Sequence, residues 1–193
     1  MPERPVVGVL LAAGSGSRFG GDKLLATLGD GRPLASAALA ALAAGVDAVI
    51  AVVRPGDAAL EALLGKSGAL IAVCDNAAEG MGASLACGVR DAQRRFPDAQ
   101  GAIVALADMP WLSSSTVALV ATALRRGAAL AAPTHAGRRG HPVAIGARYF
   151  ADLQALSGDE GAKKLLVAHA AEIELIAVDD PGVLRDVDTQ SDL

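Results

Sequence analysis

Short apolar segments alternate with longer segments rich in alanine and leucine along residues 1–132. The short segments lack polar alternation, which is typical of parallel strands covered by helices on both faces. The pattern predicts strands at residues 6–12, 48–53, 70–74, 102–107 and 130–132. It predicts helices at residues 33–44, 57–64, 81–96 and 114–126. This order predicts an α/β fold, a three-layer α/β/α sandwich with a mainly parallel, Rossmann-like sheet and right-handed crossovers.

The pattern changes after Pro133. Residues 134–140 are polar, basic and glycine-containing, which predicts a loop. Beyond it the pattern predicts a short strand, two helices and a last strand, at residues 143–145, 147–155, 161–171 and 173–178. The chain has no repeat, low-complexity linker or clear domain boundary, so we expect a single domain over residues 1–193.

Composition narrows the function classes. The net charge is −4 and no long basic run occurs, so we expect no nucleic-acid partner. The two cysteines form no C-x-x-C pair, which argues against zinc and fits a cytoplasmic protein with reduced thiols. The apolar run at residues 6–13 imitates a short signal peptide, but it leads directly into a chemically distinctive loop and predicts a buried first strand. No apolar run reaches the ~18 residues of a membrane span, so we expect no membrane partner.

A glycine-rich loop follows the first predicted strand. Gly14, Gly16 and Gly20 let the backbone approach a ligand and direct N–H groups at it, which is how an anion nest forms. Arg18 and Lys23 add two positive charges to the same loop. A turn of this kind after a strand of a parallel sheet predicts phosphate binding.

Two familiar phosphate loops fit this segment less well. A dinucleotide loop has the spacing G-x-G-x-x-G before a helix, whereas this chain has G-x-G-x-x-x-G with Arg18 and Lys23. This spacing argues against a nicotinamide-dependent oxidoreductase. A P-loop places Ser or Thr after its lysine, whereas Leu24 follows Lys23.

Carboxylates stand at two places where a metal ion is expected. Asp108 follows the strand predicted at residues 102–107, at the sheet edge that binds ligands in parallel α/β folds. Alternation around Val187 predicts a short strand with Asp186 and Asp188 on one face. Because Mg²⁺ prefers carboxylate and phosphate oxygens, Asp108 is the first candidate metal ligand. The alternatives are a helix-capping role for Asp108 and a solvated acidic tail.

The motif at residues 11–23 resembles the signature loop of the MobA-like nucleotidyltransferases, the family of the enzymes that complete the molybdenum cofactor. Ala12-Ala13-Gly14 followed by Arg18-Phe19-Gly20 is more similar to its cytidylyltransferases than to its guanylyltransferases. Later motifs match in order, so the resemblance covers nearly the whole chain and implies the nucleotidyltransferase fold.

The resemblance implies roles for individual residues. Nucleotide binding falls to Leu11, Ala12, Ala13, Gly14, Ser15, Gly16, Arg18, Lys23, Asn76, Gly80, Gly82, Ser84 and Asp108, of which Arg18, Lys23 and Asp108 are catalytic. Asp108 and Asp188 hold Mg²⁺. His141 and Pro142 contact the acceptor, so residues from about 133 to 193 supply the acceptor side and the second metal ligand. Ser84 equally suits the first turn of a helix, and a lone histidine such as His141 is commonly structural.

The activity implied by the resemblance is transfer of CMP from CTP to the terminal phosphate of molybdenum-bound molybdopterin, with release of pyrophosphate. A transient contact with a molybdoenzyme is a further implied partner. The alternatives are use of GTP, another phosphorylated acceptor such as a sugar or polyol phosphate, and a non-catalytic chaperone that delivers a nucleotide or cofactor. His135 and His169 have no assigned role. For the turn at residues 158–162 we expect helix capping by Asp159.

Overall fold

The computed structural model describes residues 4–14, 19 and 21–193. Its strands are β1 Val6–Leu11, β2 Ala48–Val53, β3 Leu70–Val73, β4 Gly101–Leu106, β5 Leu130–His135, β6 Arg138–Arg139, β7 Val143–Gly146 and β8 Ile173–Ala177. Its α-helices are α1 Leu34–Ala43, α2 Ala58–Lys66, α3 Met81–Arg95, α4 Ser114–Arg125, α5 Phe150–Gln154 and α6 Lys163–Ala168. Short 3₁₀ helices occur at Lys23–Leu25, Ala77–Glu79, Ala147–Tyr149, Ala170–Glu172, Pro181–Leu184 and Gln190–Asp192.

The strands form one mixed sheet in the order β3-β2-β1-β4-β7-β5-β6, with β8 paired to β5. The first four strands of this order are mutually parallel, and β8 is parallel to β5. Strand β7 runs antiparallel to both β4 and β5, and β6 runs antiparallel to β5. The predicted mainly parallel sheet is therefore confirmed, and β7 lies antiparallel between β4 and β5.

Apolar clusters on the two faces of the sheet confirm the three layers. One cluster joins the sheet to α1, α2 and α4, and the other joins it to α3, α5 and α6. Small residues let the helices approach closely. A Cβ on Gly88 of α3 would lie 2.6 Å from Val9 and 2.7 Å from Val52, so this position has no room for a side chain.

Three local predictions were wrong. Residues 134–140 form a β-hairpin, in which Ala136 (φ 49°) and Gly137 (φ 73°) make the turn between β5 and β6. Strand β3 is an edge strand with Val73 45% exposed, so it is not buried on both faces. Helix α6 ends at Ala168, where a 3₁₀ turn replaces the last part of the predicted helix.

Across the described ranges, no helix combines the length and apolar character that crossing a membrane requires.

Candidate functional site

Strands β1 and β4 are parallel neighbours, so their carboxyl ends meet at one edge of the sheet. Leu11, the last residue of β1, is in register with Leu106, the last residue of β4. The Ala107 N–H donates to the Leu11 carbonyl at 3.0 Å. This register places Asp108 beside the start of the glycine-rich loop, as the rule for ligand sites in parallel sheets predicts.

Lys23 lies between two aspartates at this edge. Its Nζ is 2.9 Å from Asp108 Oδ2 and 3.8 Å from Asp188 Oδ1. The Lys23 side chain is 11% exposed and that of Asp108 26%, so this pair is partly shielded from water. Three residues far apart in the sequence therefore form one charged cluster, which we call the Lys23 cluster.

The C-terminal tail reaches the Lys23 cluster without forming a strand. Residues 185–188 are irregular, so the strand predicted from their alternation was wrong. The Val187 N–H donates to the Asp108 carbonyl at 2.9 Å, and the Val187 side chain is fully buried against Phe19 and Leu34. Asp186 and Asp188 are both exposed, and Asp188 lies near Lys23 because Val187 anchors the tail.

Part of the predicted loop lies outside the described residues. This part comprises Ser15, Gly16 and Arg18, three of the predicted nucleotide ligands, together with Ser17 and Gly20. Their assignments stay predictions. The described ends of the loop are exposed Gly14 and the short helix that begins at Lys23.

A cavity of about 740 Å³ opens beside the Lys23 cluster. Seven of the predicted nucleotide-binding residues line it, namely Leu11, Ala13, Gly14, Lys23, Gly80, Ser84 and Asp108. Ser84 sits in the first turn of α3, where its Oγ donates to the Gly80 carbonyl at 3.4 Å. The volume falls in the range of pockets for small-molecule ligands.

Three predicted nucleotide-binding residues are not part of the cavity lining. Ala12 is buried and its N–H donates to the Val52 carbonyl at 2.9 Å. Asn76 is exposed, and its side-chain amide donates to Glu79 at 3.2 Å. Gly82 donates its N–H to another part of the chain, the carbonyl of Gly158, at 2.7 Å.

Gly80 and Gly82 provide a docking place for the turn at residues 158–162. Gly80 has φ +121°, and a Cβ there would lie 2.3 Å from Asp159 Oδ1. A Cβ on Gly82 would lie 2.8 Å from the Gly158 carbonyl. The turn therefore packs on the amino end of α3. The expected cap by Asp159 was wrong, because Ala162 precedes α6 and gives it no side-chain cap.

Sequence reasoning missed three charged residues that line the cavity of about 740 Å³. Arg54 follows β2 directly, and Asp75 stands two residues beyond β3. Both line the cavity, as does Asp57, whose Oδ2 lies 3.4 Å from Arg54 Nε. The rule that identified Asp108, a polar residue after a parallel strand, applies equally to Arg54 and Asp75 and would have found them.

His141 stands at the end of the β5–β6 hairpin. Its N–H donates to the Val183 carbonyl at 2.9 Å, and a Cβ on Gly140 would lie 2.2 Å from that carbonyl oxygen. The ring Nδ1 is buried and has no hydrogen-bond partner among the described residues. Burial lowers the pKa of His141 from 6.5, while nearby Asp108 opposes this shift, so the imidazole is neutral at neutral pH.

A second cavity, of about 200 Å³, is lined by His141 but not by Pro142. Pro142 is buried behind a cis peptide bond with His141. The other two histidines make contacts inside the fold. His135 Nδ1 lies 3.2 Å from the Val178 carbonyl, and His169 Nδ1 lies 2.8 Å from Glu172 and 3.2 Å from the Tyr149 hydroxyl.

A metal ion would have to use few protein ligands here. In the part of the chain that the structure describes, no three His, Cys, Asp or Glu side chains form a metal-binding group. Asp108 Oδ1 is buried and lacks a hydrogen-bond partner in that part of the chain. Asp188 lies close to Asp108, because both carboxylates are near the Lys23 ammonium. Mg²⁺ is commonly held by one or two carboxylates together with substrate phosphates and water, so this donor set fits that ion.

Two curated relatives resemble the chain over nearly its whole length. The purine catabolism protein PucB of Bacillus subtilis (strain 168) is 34% identical over 194 residues, which cover 95% of this chain and 92% of that protein. The nicotine blue oxidoreductase of Paenarthrobacter nicotinovorans is 33% identical over 193 residues, with the same coverage of 95% and 92%.

Solved structures match the fold. Rv0371c from Mycobacterium tuberculosis H37Rv is 27% identical with a TM-score of 0.86, covering 100% of this chain and 96% of that one. Its complex with manganese aligns at 24% identity and a TM-score of 0.77, covering 97% and 95%. CMP:2-keto-3-deoxy-manno-octonic acid synthetase with CTP, at 16% identity and a TM-score of 0.75, shares the fold over 96% and 94%. Residues 8–173 match the family described as the MobA-like NTP transferase domain.

Proposed function

The chain belongs to the MobA-like NTP transferase family, and from this premise we propose that it transfers CMP from CTP to the terminal phosphate of molybdenum-bound molybdopterin. The observation that carries the proposal is the Lys23 cluster beside a cavity of about 740 Å³ at the carboxyl edge of the parallel strands. A lysine ammonium and two carboxylates at such an edge suit a triphosphate and a divalent cation. The preference for CTP rests on the resemblance of residues 11–23 to the cytidylyltransferases.

The reaction needs no protein nucleophile. An oxygen of the acceptor phosphate attacks the α-phosphorus of CTP, the bond between the α-phosphorus and the bridging oxygen breaks, and pyrophosphate leaves with that electron pair. The acceptor oxygen is already ionised, so no general base has to remove a proton. Catalysis then consists of positioning and neutralisation of phosphate charge, which Lys23 and, by prediction, Arg18 provide.

Asp108 and Asp188 are the residues that would hold Mg²⁺. The buried, unpartnered Oδ1 of Asp108 supports this assignment, and the manganese complex of Rv0371c shows that a protein of this fold takes a divalent cation. When bound, the ion would neutralise negative charge on the triphosphate. Lys23 pairs with Asp108 in this structure and would then be available to a phosphate oxygen.

The similarity to nicotine blue oxidoreductase supports a second candidate, a redox activity. The described residues that follow the glycine-rich loop argue against a dinucleotide site, because residues 21–33 contain no α-helix before α1 begins at Leu34, whereas a dinucleotide loop opens directly into its helix. Titration with NADH, followed by its fluorescence, separates the two candidates. Tight binding with hydride transfer would favour the redox activity.

The test is an assay of pyrophosphate release with each of the four nucleoside triphosphates and a panel of acceptors, molybdenum-bound molybdopterin, a sugar phosphate and a polyol phosphate. The proposal predicts turnover with CTP and the molybdopterin acceptor. Efficient turnover with GTP and none with CTP would overturn the cytidylyl assignment. Nucleotide binding without pyrophosphate release from any mixture would instead indicate a non-catalytic carrier.

A further inference from the structure

The smaller cavity adjoins the larger one. Leu11, Met81 and Leu106 line both, so a ligand in either cavity reaches the same carboxyl edge of the sheet. The smaller cavity has an apolar lining to which β4, β7 and α6 contribute Val104, Ile145 and Leu166. Its volume of about 200 Å³ suits the end of a ligand rather than a whole nucleotide.

Two cations face this cavity from opposite parts of the fold. Arg139 comes from β6 of the hairpin, and Lys163 is the first residue of α6. Within the described ranges, no carboxylate lies within ion-pair distance of either side chain. The cavity has one acidic side chain, Glu160, whose Oε2 lies 2.8 Å from Lys164 Nζ. Among the described side chains that line the cavity, two cations therefore outnumber one carboxylate, and this lining favours an anion.

His141 adds a neutral polar group between this cavity and Asp108. It lines the cavity, and its Nδ1 is buried without a partner in the described part of the chain. Leaving a buried polar atom without a partner is destabilising, so such atoms commonly mark a ligand or a bound water. The backbone hydrogen bond to Val183 and the tight packing of Gly140 fix the position of the residue.

The turn at residues 158–162 carries Glu160 and Ala162 into the cavity wall and leads directly into Lys163. This turn docks on Gly80 and Gly82, at the start of the helix that also lines the nucleotide cavity. The position of Lys163 therefore depends on Gly80, which also lines the larger cavity, and on Gly82 beside it. We therefore assign the turn a role, which is to position Lys163 at the smaller cavity.

We propose that the smaller cavity binds the phosphate end of the acceptor, with Arg139 and Lys163 as its cations and His141 as its polar contact on the side of Asp108. This assignment rests on the proposed nucleotidyl transfer and deepens it by naming residues that select a phosphomonoester. The phosphate pairs with the two cations, and one of its oxygens is delivered to the α-phosphorus beside the Lys23 cluster. The carbon atoms next to that phosphate lie against Val104, Ile145 and Leu166.

The structure offers matched controls for the test. Arg138 precedes Arg139 on the same two-residue strand, and Lys164 follows Lys163 on the same helix, but neither control residue lines the cavity. In the pyrophosphate assay, Arg139→Ala and Lys163→Ala each raise the KM for the acceptor at least about tenfold, because each loses a charged hydrogen-bond donor. The KM for CTP and the kcat at saturating acceptor change less than about threefold.

The control variants Arg138→Ala and Lys164→Ala keep the acceptor KM within about threefold of the wild-type value. Lys164→Ala frees the charge of Glu160, but both side chains of that pair are mostly exposed and solvent screens them. If wild-type protein releases pyrophosphate and all four variants behave alike, the cavity assignment is wrong while the proposed function stands.

If the wild-type protein releases no pyrophosphate with any triphosphate, the proposed function fails, and with it the assignment of this cavity to an acceptor. A titration with inorganic phosphate, followed by the imidazole NMR signals of His141, then decides whether the cavity binds phosphate at all. Weaker binding by Arg139→Ala and Lys163→Ala than by their neighbours upholds an anion site there. Equal binding by all variants overturns it.

Discussion

The parallel half of the sheet and the mixed half contribute different kinds of residue to the site. In the parallel half, β3-β2-β1-β4, charged residues stand one or two positions beyond the strand ends, as Arg54, Asp75 and Asp108 do. In the mixed half, which contains β5 to β8, and in the tail behind it, long-range hydrogen bonds place the polar groups. The backbone N–H of His141 binds the Val183 carbonyl, and that of Val187 binds the Asp108 carbonyl. We therefore expect the parallel half to hold its site rigidly and the mixed half to depend on each anchoring contact.

The largest effect on kcat should come from a change at Asp108, which follows the end of β4. We expect Asp108→Asn to lower kcat about 10²–10³-fold in the pyrophosphate assay, because it removes a charged ligand of the proposed Mg²⁺ site and so weakens neutralisation of the triphosphate. Asp188→Asn should lower kcat less, about tenfold to a hundredfold, because Asp188 is farther from Lys23 and 50% exposed. Asp186→Asn, on the same tail, is the control. Equal losses in Asp108→Asn and Asp188→Asn would break the distinction between the two halves.

Docking of the turn at residues 158–162 joins the two halves, and Gly80→Ala should disrupt it. The new Cβ would lie 2.3 Å from Asp159 Oδ1 at a φ of +121°, so we expect a loss of about 2–4 kcal/mol in the free energy of unfolding. Urea denaturation measures it. Gly65→Ala in α2, whose nearest neighbour would be 3.8 Å away, should instead stabilise the protein by about 0.5–1 kcal/mol. Unchanged stability in Gly80→Ala would mean that the turn is not tightly held.

The tail depends on Val187, whose side chain is fully buried. Val187→Ala removes two methyl groups from that cluster and should cost about 1–3 kcal/mol of unfolding free energy. It should also lower kcat, because Asp188 loses its anchor. Val167→Ala, at a position 66% exposed, is the matched control and should stay within about 0.5 kcal/mol. A full kcat in Val187→Ala would show that the tail is positioned without this contact.

The smallest effect concerns His141. Burial lowers its pKa below 6.5, although Asp108 and Asp186 favour the charged imidazolium, which Arg139 opposes. The unfolded chain therefore binds a proton at a higher pH than the folded protein does. The stability contributed by neutral His141 is complete above about pH 6.5 and is lost as the pH falls towards the folded-state pKa. His141→Asn should flatten this part of the curve of unfolding free energy against pH. An identical curve in the variant would contradict the assignment.

Much of the parallel half could be predicted from the sequence. Strands β1, β2 and β4 are found within a residue of their expected bounds, because buried parallel strands are continuous apolar runs. The position of Asp108 follows from the same pattern. Arg54 and Asp75 were predictable too, since they obey the same strand-end rule.

The mixed half could not be predicted in the same way. The alternation around Val187 resembles a strand, but that side chain is buried by Phe19 and Leu34, which lie far away in the sequence. The turn of the hairpin uses Ala136 and Gly137, without the Asn-Gly or Asp-Gly pair that announces a two-residue turn. These features depend on tertiary contacts, which local patterns do not encode.

The central claim is that a nucleotidyl group moves from CTP to a phosphate acceptor at the Lys23 cluster. Parallel reactions with CTP labelled at the α-phosphate and CTP labelled at the γ-phosphate test it most directly. The account predicts that the acceptor takes up the α-label, that the γ-label leaves in pyrophosphate, and that Asp108→Asn loses both signals together. Transfer of the γ-label to the acceptor, or α-label transfer that is undiminished in Asp108→Asn, would contradict it.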